Sequence, residues 1–266
     1  MGLYDITLGQ YAPRASICHQ LDPRTKLAIF SFFTFFTLFV DRFLLLGVLG
    51  LVCVGLFFLS SLSFRLLIQN LRAFLWLFVL TMGLHAFFTS GEVLVQIPGL
   101  SVSISKQGIE NGAFYTFRIA LFILFANWFT FTTSPMEFTD AMEKIFRPFQ
   151  KLRIPVHEMA LMMSIAIRFI PIFIEEIQRI QKAQLARGAR IDGKIWNRIR
   201  GLVPVLIPLF FSAFRKANEL ALAMDARCYR GGAFRTSFQK FQFRLQDGFF
   251  FLFMGLVGLG WIVLEK

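Results

Sequence analysis

The stretch 43–64, FLLLGVLGLVCVGLFFLSSLSF, contains no charged residue. Wound as a helix at ~1.5 Å per residue it extends roughly 33 Å, enough to cross a hydrocarbon layer of ~30 Å. Water offers no reason to keep such a segment unbroken, so its reading decides the class of the protein. Its neighbours agree. Residues 73–91, from Ala73 through Trp76 to Gly91, are free of charge, 113–133 are apolar except for Arg118, and 248–264 are apolar again. The run 27–40 (LAIFSFFTFFTLFV) is short, but Asp41-Arg42 separates it from the next run so tightly that only a hairpin of two membrane helices fits. The chain is 56% hydrophobic with a mean hydropathy of +0.62, and Phe alone supplies 36 of its 266 residues. The expectation is an all-α, polytopic membrane protein with about five transmembrane helices.

Charge then orients it. Arg14, Arg24 and Lys26 flank the first span, and Arg65 and Arg72 lie between the second and third. The alternate connections hold only Arg42 and Lys106. The segment 134–247 carries 19 Lys and Arg against 10 Asp and Glu, which is nine of the chain's twelve net positive charges. Positive loops stay inside. The N-terminus and 134–247 are therefore expected in the cytoplasm and the C-terminus outside the cell membrane. This divides the chain into an N-terminal membrane region (1–133), a cytoplasmic region (134–247) and a C-terminal membrane helix (248–266). The first 20 residues lack the apolar core of a cleavable signal. Cys18, Cys53 and Cys228 have neither metal nor disulfide spacing.

Local signals mark the helices. Asp22 precedes Pro23 and opens the first, because Asp accepts from free backbone N–H groups and Pro suits the first turn. Ser134-Pro135-Met136-Glu137 is a capping box, and the helix it starts should stop before Pro148. The polar segment 96–112 reads as an external loop. Two long amphipathic helices follow, one from Pro155 to about Arg187 and one from about Lys194 to Arg227. Their apolar stripes step by three and four: Ala166, Ile170, Phe173, Ile177 and Ile180 on the first; Val203, Leu206, Phe210, Ala217, Leu220 and Met224 on the second. Packing through Ile170, Phe173, Ile177, Phe210, Ala217 and Leu220 would form a seam. Pro171, Pro204 and Pro208 should distort these helices.

Each long helix ends on a similar signature. Ala186-Arg187-Gly188-Ala189-Arg190 recurs 40 residues later as Ala226-Arg227-Cys228-Tyr229-Arg230. Two ordinary basic helix ends would look alike; so would two matching docking points for two similar partners. Catalysis has no candidate residues. His19, His85 and His157 lack partners at ligand spacing, and there is no phosphate-binding loop. Neither catalytic nor metal-binding residues are expected, and no cofactor. His85 and Arg118 are the ionisable residues within spans; Arg118 faces either a partner or a neighbouring helix.

The ordered set of motifs resembles the transmembrane T component of energy-coupling factor (ECF) transporters, a family of ABC importers of vitamins and some metal ions. The resemblance rests on His19-Gln20-Leu21-Asp22-Pro23-Arg24-Thr25-Lys26-Leu27, on Ser134-Pro135, on Ser164 to Pro171 followed by Glu175-Glu176, and on the two Ala-Arg-Gly signatures. Cys228 stands where the second signature would have Gly. The resemblance implies a non-catalytic subunit. It implies two ABC-type ATPase partners docked at Ala186, Arg187, Gly188, Arg190, Ala226, Arg227, Cys228 and Arg230, and a membrane-embedded substrate-binding S component. Membrane lipid is a further expected partner and nucleic acid is not. A stand-alone channel or carrier with a basic cytoplasmic domain is the alternative, and it would need more ionisable residues within the spans. A membrane enzyme acting on lipid would need interfacial catalytic side chains, and a basic platform would leave the paired signatures unexplained.

Overall fold

A computed structural model describes residue 14 and residues 16–96, 103–188, 195–231 and 245–265. Arg190, Gly193, Lys194 and Gly232 lie outside these. The architecture is helical, apart from one small hairpin. The short helix α1 (Ile17–Gln20) is followed by α2 (Pro23–Phe39), α3 (Phe43–Leu59), α4 (Phe64–Ala73) and α5 (Leu75–Phe88). An antiparallel pair, β1 (Val93–Gln96) and β2 (Ser103–Ser105), leads into α6 (Lys106–Thr132) and α7 (Pro135–Phe146). A 3-10 segment (Arg147–Leu152) precedes α8 (Val156–Ala186), then α9 (Ile195–Ala226) and α10 (Leu245–Glu265) complete the chain. The described residues form two compact units, one drawn from 14–138 and 245–265, the other from 139–231.

In the first unit α6 is central and packs on α2, α3, α4 and α5. Its inward face carries Leu121, Phe125 and Trp128, which meet Ile29 and Phe33 of α2 and Leu46, Leu49 and Cys53 of α3 in one buried cluster. Phe33 and Phe125 stack with ring centroids 5.4 Å apart. Trp128 is fully buried, and its indole N–H donates to Ser60 Oγ at 2.7 Å, which in turn donates to the Leu56 carbonyl at 2.6 Å. A buried indole without such a partner would be costly.

Among the described residues α6, at 27 residues, is long and apolar enough to cross a membrane by itself. α4 and α5 pass the same test jointly as a pair bent by 54°; the apolar helices at Phe43–Leu59 and Leu245–Trp261 are shorter. The bend revises the expected span 73–91. The break falls at Phe74, and Arg65 and Arg72 sit on a helix rather than in a loop. Segment 64–73 is amphipathic whereas 75–88 is apolar around its circumference, so the two parts prefer different surroundings. The Asn70 side-chain amide donates to Asn127 Oδ1 of α6 at 3.1 Å and pins the bent piece.

The expected external loop 96–112 is also revised. α6 begins at Lys106, where Ser105 Oγ accepts from the Gly108 N–H at 3.0 Å. Gly108 and Gly112 are helical residues that let α5 approach. A Cβ at Gly108 would stand 2.6 Å from the His85 carbonyl, and one at Gly112 would stand 2.9 Å from Met82 Sδ. Small residues at such crossings are the usual solution between membrane helices. Arg118 faces a neighbouring helix: it donates to the Val40 carbonyl that ends α2, lies 3.6 Å from Asp41 Oδ1, and sits over the Phe114 ring at 4.6 Å. His85 contacts the Thr81 carbonyl at 3.1 Å and packs on Tyr115.

One end of this unit is organised by Lys26, which is fully buried. Its ammonium donates to the His19 carbonyl at 3.0 Å, the Thr132 carbonyl at 2.8 Å and Glu137 Oε2 at 3.3 Å. Two of these acceptors lie in the last turns of α1 and α6, where carbonyls lack helical donors. The third belongs to the capping box of α7, in which the Glu137 N–H donates to Ser134 Oγ at 3.2 Å and the Ser134 N–H to Glu137 Oε2 at 3.4 Å. Asp22 caps α2 by accepting from the Arg24 N–H at 3.0 Å, and the Asp22 N–H donates to Asp247 Oδ1 of α10 at 3.1 Å.

Lys26→Met keeps most of the shape but strands two carbonyls and takes the cation from the Glu137 carboxylate. Loss of one member of a buried ionic set costs about 3 kcal/mol. The expected outcome is a clear drop in melting temperature of the purified protein in detergent, followed by Trp fluorescence. An unchanged melting temperature would refute the role given to Lys26.

Candidate docking site at two helix ends

In the second unit α8 packs on α9. Proline chemistry shapes the crossing. Pro208 has no N–H, so the carbonyl four residues earlier, that of Pro204, loses its helical donor. Gln184 of α8 supplies a replacement, its side-chain amide donating to the Pro204 carbonyl at 3.4 Å. Both α8 and α9 are continuous helices through their prolines.

Along α8, Phe173, Ile177 and Ile180 are half-buried and step onward to Gln184, while Ala166 and Ile170 are exposed. Along α9 the least exposed line is Val205, Leu209, Ser212, Ala213, Lys216, Leu220 and Met224. Leu220 and Met224 belong to the expected stripe, whereas Val203, Leu206, Phe210 and Ala217 are exposed. A helix this rich in apolar residues has more than one line with three-and-four spacing, and spacing alone does not choose among them.

The two Ala-Arg signatures adopt the same termination. Ala186 and Ala226 are the last helical residues, and Arg187 and Arg227 take the C-cap position. The next residue is left-handed in both: φ is +86° at Gly188 and +57° at Cys228. The Gly188 N–H donates to the Leu185 carbonyl at 2.9 Å, and the Cys228 N–H to the Asp225 carbonyl at 2.9 Å. At the second end the Tyr229 N–H also reaches back to Met224 at 3.1 Å, completing a Schellman turn. Gly188 is required by its backbone and not by crowding, since a Cβ there would meet nothing within 4 Å. Cys228 holds the same turn with a side chain, at a conformational cost of about 1 kcal/mol.

The consequence is presentation. Ala186, Arg187, Gly188, Ala226, Arg227, Cys228 and Arg230 are all exposed. Arg187 and Arg227 take the C-cap positions of their helices, where positive charge is favoured. From the crossing at Pro204 to Arg227 runs roughly 34 Å of helix, while Arg187 is only one turn from Gln184. The two arginines therefore stand roughly 20 Å or more apart. The sequence also missed a contact: His157 Nδ1 meets Glu143 Oε1 at 2.8 Å and ties α8 to α7. The two residues are fourteen positions apart, beyond any local ligand spacing. Among the described residues no group of three or more His, Cys, Asp or Glu side chains is arranged to hold a metal ion.

Backbone strain distinguishes the two ends in a measurable way. Gly188→Ala forces a Cβ into the left-handed region and should weaken the first turn by about 1 kcal/mol, seen as roughly fivefold faster amide hydrogen exchange at the end of α8. Cys228→Ala replaces one Cβ with another and should leave exchange at the end of α9 unchanged. Equal effects at both ends would rule out this account.

The sequence matches the family described as cobalt transport protein, CbiQ, over residues 14–238. It is 42% identical over 264 residues to the energy-coupling factor transporter transmembrane protein EcfT of Thermanaerovibrio acidaminovorans, covering 98% of this chain and 97% of that one. To EcfT of Acidaminococcus fermentans it is 42% identical over 264 residues, covering 98% and 96%. To EcfT of Bacillus subtilis it is 41% identical over 235 residues, covering 88% of each. With its family match spanning most of the chain and relatives aligned almost end to end, the protein belongs to the CbiQ/EcfT family, the transmembrane T components of ECF transporters.

Proposed function

We propose that this chain couples two cytosolic ABC-type ATPase subunits to a membrane-embedded S component, and so drives uptake of a vitamin or another micronutrient. The chain itself is non-catalytic, and ATP is hydrolysed on the partners. In this reading α2, α3, the bent pair α4–α5, α6 and α10 are the five membrane helices. The N-terminus and 134–247 lie in the cytoplasm and the C-terminus outside, so that 1–133 and 248–266 are membrane regions and 134–247 the coupling region. The observation that carries the reading is the pair of matching helix ends, each presenting an exposed arginine at its C-cap, set well apart along the α8–α9 crossing. One partner of ordinary size would meet one end; two similar partners would meet both.

Arg187 and Arg227 are the proposed anchors, with Ala186, Gly188, Ala226 and Cys228 permitting close approach and Arg190 and Arg230 adding charge. A guanidinium keeps its charge and forms paired hydrogen bonds with carboxylates. The α8–α9 seam would transmit partner motion as a lever, with Phe173, Ile177 and Leu220 inside it. Ile170, Phe210 and Ala217, exposed on the single chain, would complete it only when partner helices cover them. Transmission of this kind needs a packed element with two arrangements.

Two outcomes are expected. Arg187→Glu with Arg227→Glu should abolish co-purification of the ATPase subunits, because a like charge buried in a partner groove costs several kcal/mol. Retention of both ATPases at wild-type yield in the double variant would eliminate the docking assignment. For topology, the chain expressed without partners should carry Cys228, its one exposed described cysteine, out of reach of an impermeant maleimide until cells are opened. In a Cys228→Ala background, Lys106→Cys should label from outside on intact cells. The reverse pattern would invert the proposed orientation.

A further inference from the structure

An apolar groove of about 550 Å³ lies between α3 and α10, walled by Leu51, Gly55 and Leu59 on one side and Phe249, Phe250 and Phe253 on the other, with Gln246 at its rim. Ile17 of α1 also lines it. Three residues before Ile17, the exposed Arg14 guanidinium donates to the carbonyl of Ser61, two residues beyond Leu59. Among the described residues no carboxylate pairs with Arg14. The body of the groove is therefore hydrocarbon-like, and the chain segments that continue from its Ile17 and Leu59 walls are joined by a cation with donors to spare beyond its bond to Ser61. Arg65, the second residue of the amphipathic helix α4, follows Ser61 by four positions and adds positive charge to the same stretch of chain.

We propose that this groove binds one anionic phospholipid, with an acyl chain between α3 and α10 and the headgroup phosphate at Arg14. Each buried CH2 contributes ~0.8 kcal/mol, so a partly seated chain suffices for retention, and the charge selects anionic headgroups over zwitterionic ones. A purely apolar partner helix would account for the walls but would give Arg14 nothing to meet. Gly55 provides an open floor: a Cβ placed there meets nothing within 4 Å, so the space belongs to the groove and not to packing within the chain. The proposal rests on the reading that this end of α2, α3 and α10 faces the cytoplasm, where anionic lipid is abundant. It does not depend on any ATPase or S component.

The test is native mass spectrometry of the purified full chain in detergent, titrated with palmitoyl-oleoyl phosphatidylglycerol or with the corresponding phosphatidylcholine. The wild type should retain the anionic lipid about tenfold better, the scale of one charge-assisted hydrogen bond. Arg14→Gln should remove that preference without lowering retention of phosphatidylcholine. Gly55→Leu, which fills the groove, should lower retention of both lipids. Millimolar inorganic phosphate should not displace the bound lipid, because it supplies the headgroup contact alone. An Arg14→Gln chain that keeps the full preference overturns the proposal, as does a folded Gly55→Leu chain with wild-type retention, or displacement by inorganic phosphate. Arg14 is exposed, so its variant decides the matter even where Gly55→Leu disturbs folding. Because lipid retention is read on the chain alone, failure here leaves the coupling role standing, and loss of ATPase docking leaves the lipid site standing.

Discussion

A single buried ammonium holds one end of the first unit together. Lys26 meets the ends of α1 and α6 and the beginning of α7 through three hydrogen bonds, and all its donors are used. Helix ends are where backbone groups run out of partners, and in an apolar environment each orphan group is expensive. Gathering the orphan carbonyls of two helices and the capping carboxylate of a third around one cation addresses that problem in one place. Asp22 and Asp247 do the same for α2 and α10, with an N–H of one helix start answered by a carboxylate of the other. Five helix termini thus depend on one another, and the aromatic core of Phe33, Phe125 and Trp128 is held in register below them.

The second unit uses a different device. Here the polar backbone is released on purpose by proline and then reused. Pro208 strips the Pro204 carbonyl of its helical donor, and Gln184 answers it from the other helix. Where that bond forms, α8 has almost finished and about two thirds of α9 is still to come. The offset places Arg187 near the crossing and sends Arg227 far from it. Two similar sequences thereby become two separate surfaces.

The repeated Ala-Arg ends show how little sequence identity a backbone motif requires. Gly188 and Cys228 differ in side chain but share a left-handed φ, and both helices stop with the same C′ to C2 hydrogen bond. At the second end Tyr229 closes a Schellman turn around the residue that carries a side chain. What is conserved between the ends is the exposure of an arginine at a fixed place on a helix terminus, with its own helix dipole beside it.

Much was determined by local sequence. The capping box at Ser134–Glu137, the Asp22 cap, the stops after Ala186 and Ala226 and the helical class all follow from short-range chemistry, because a cap or a left-handed turn involves residues within a few positions of one another. The membrane class and family were equally legible, since long uncharged runs and ordered motifs survive without any knowledge of packing. Tertiary structure alone decided the rest. It held α4 at its angle to α5 through the bond from Asn70 to Asn127 across the unit. It set α5 against Gly108 and Gly112 of α6, and it gave Arg118 to the Val40 carbonyl and His157 to Glu143. It also chose which apolar line of α9 turns inward, where Val205 and Ala213 prevailed over Phe210 and Ala217. Periodicity offers several such lines, and only the partner helix selects one.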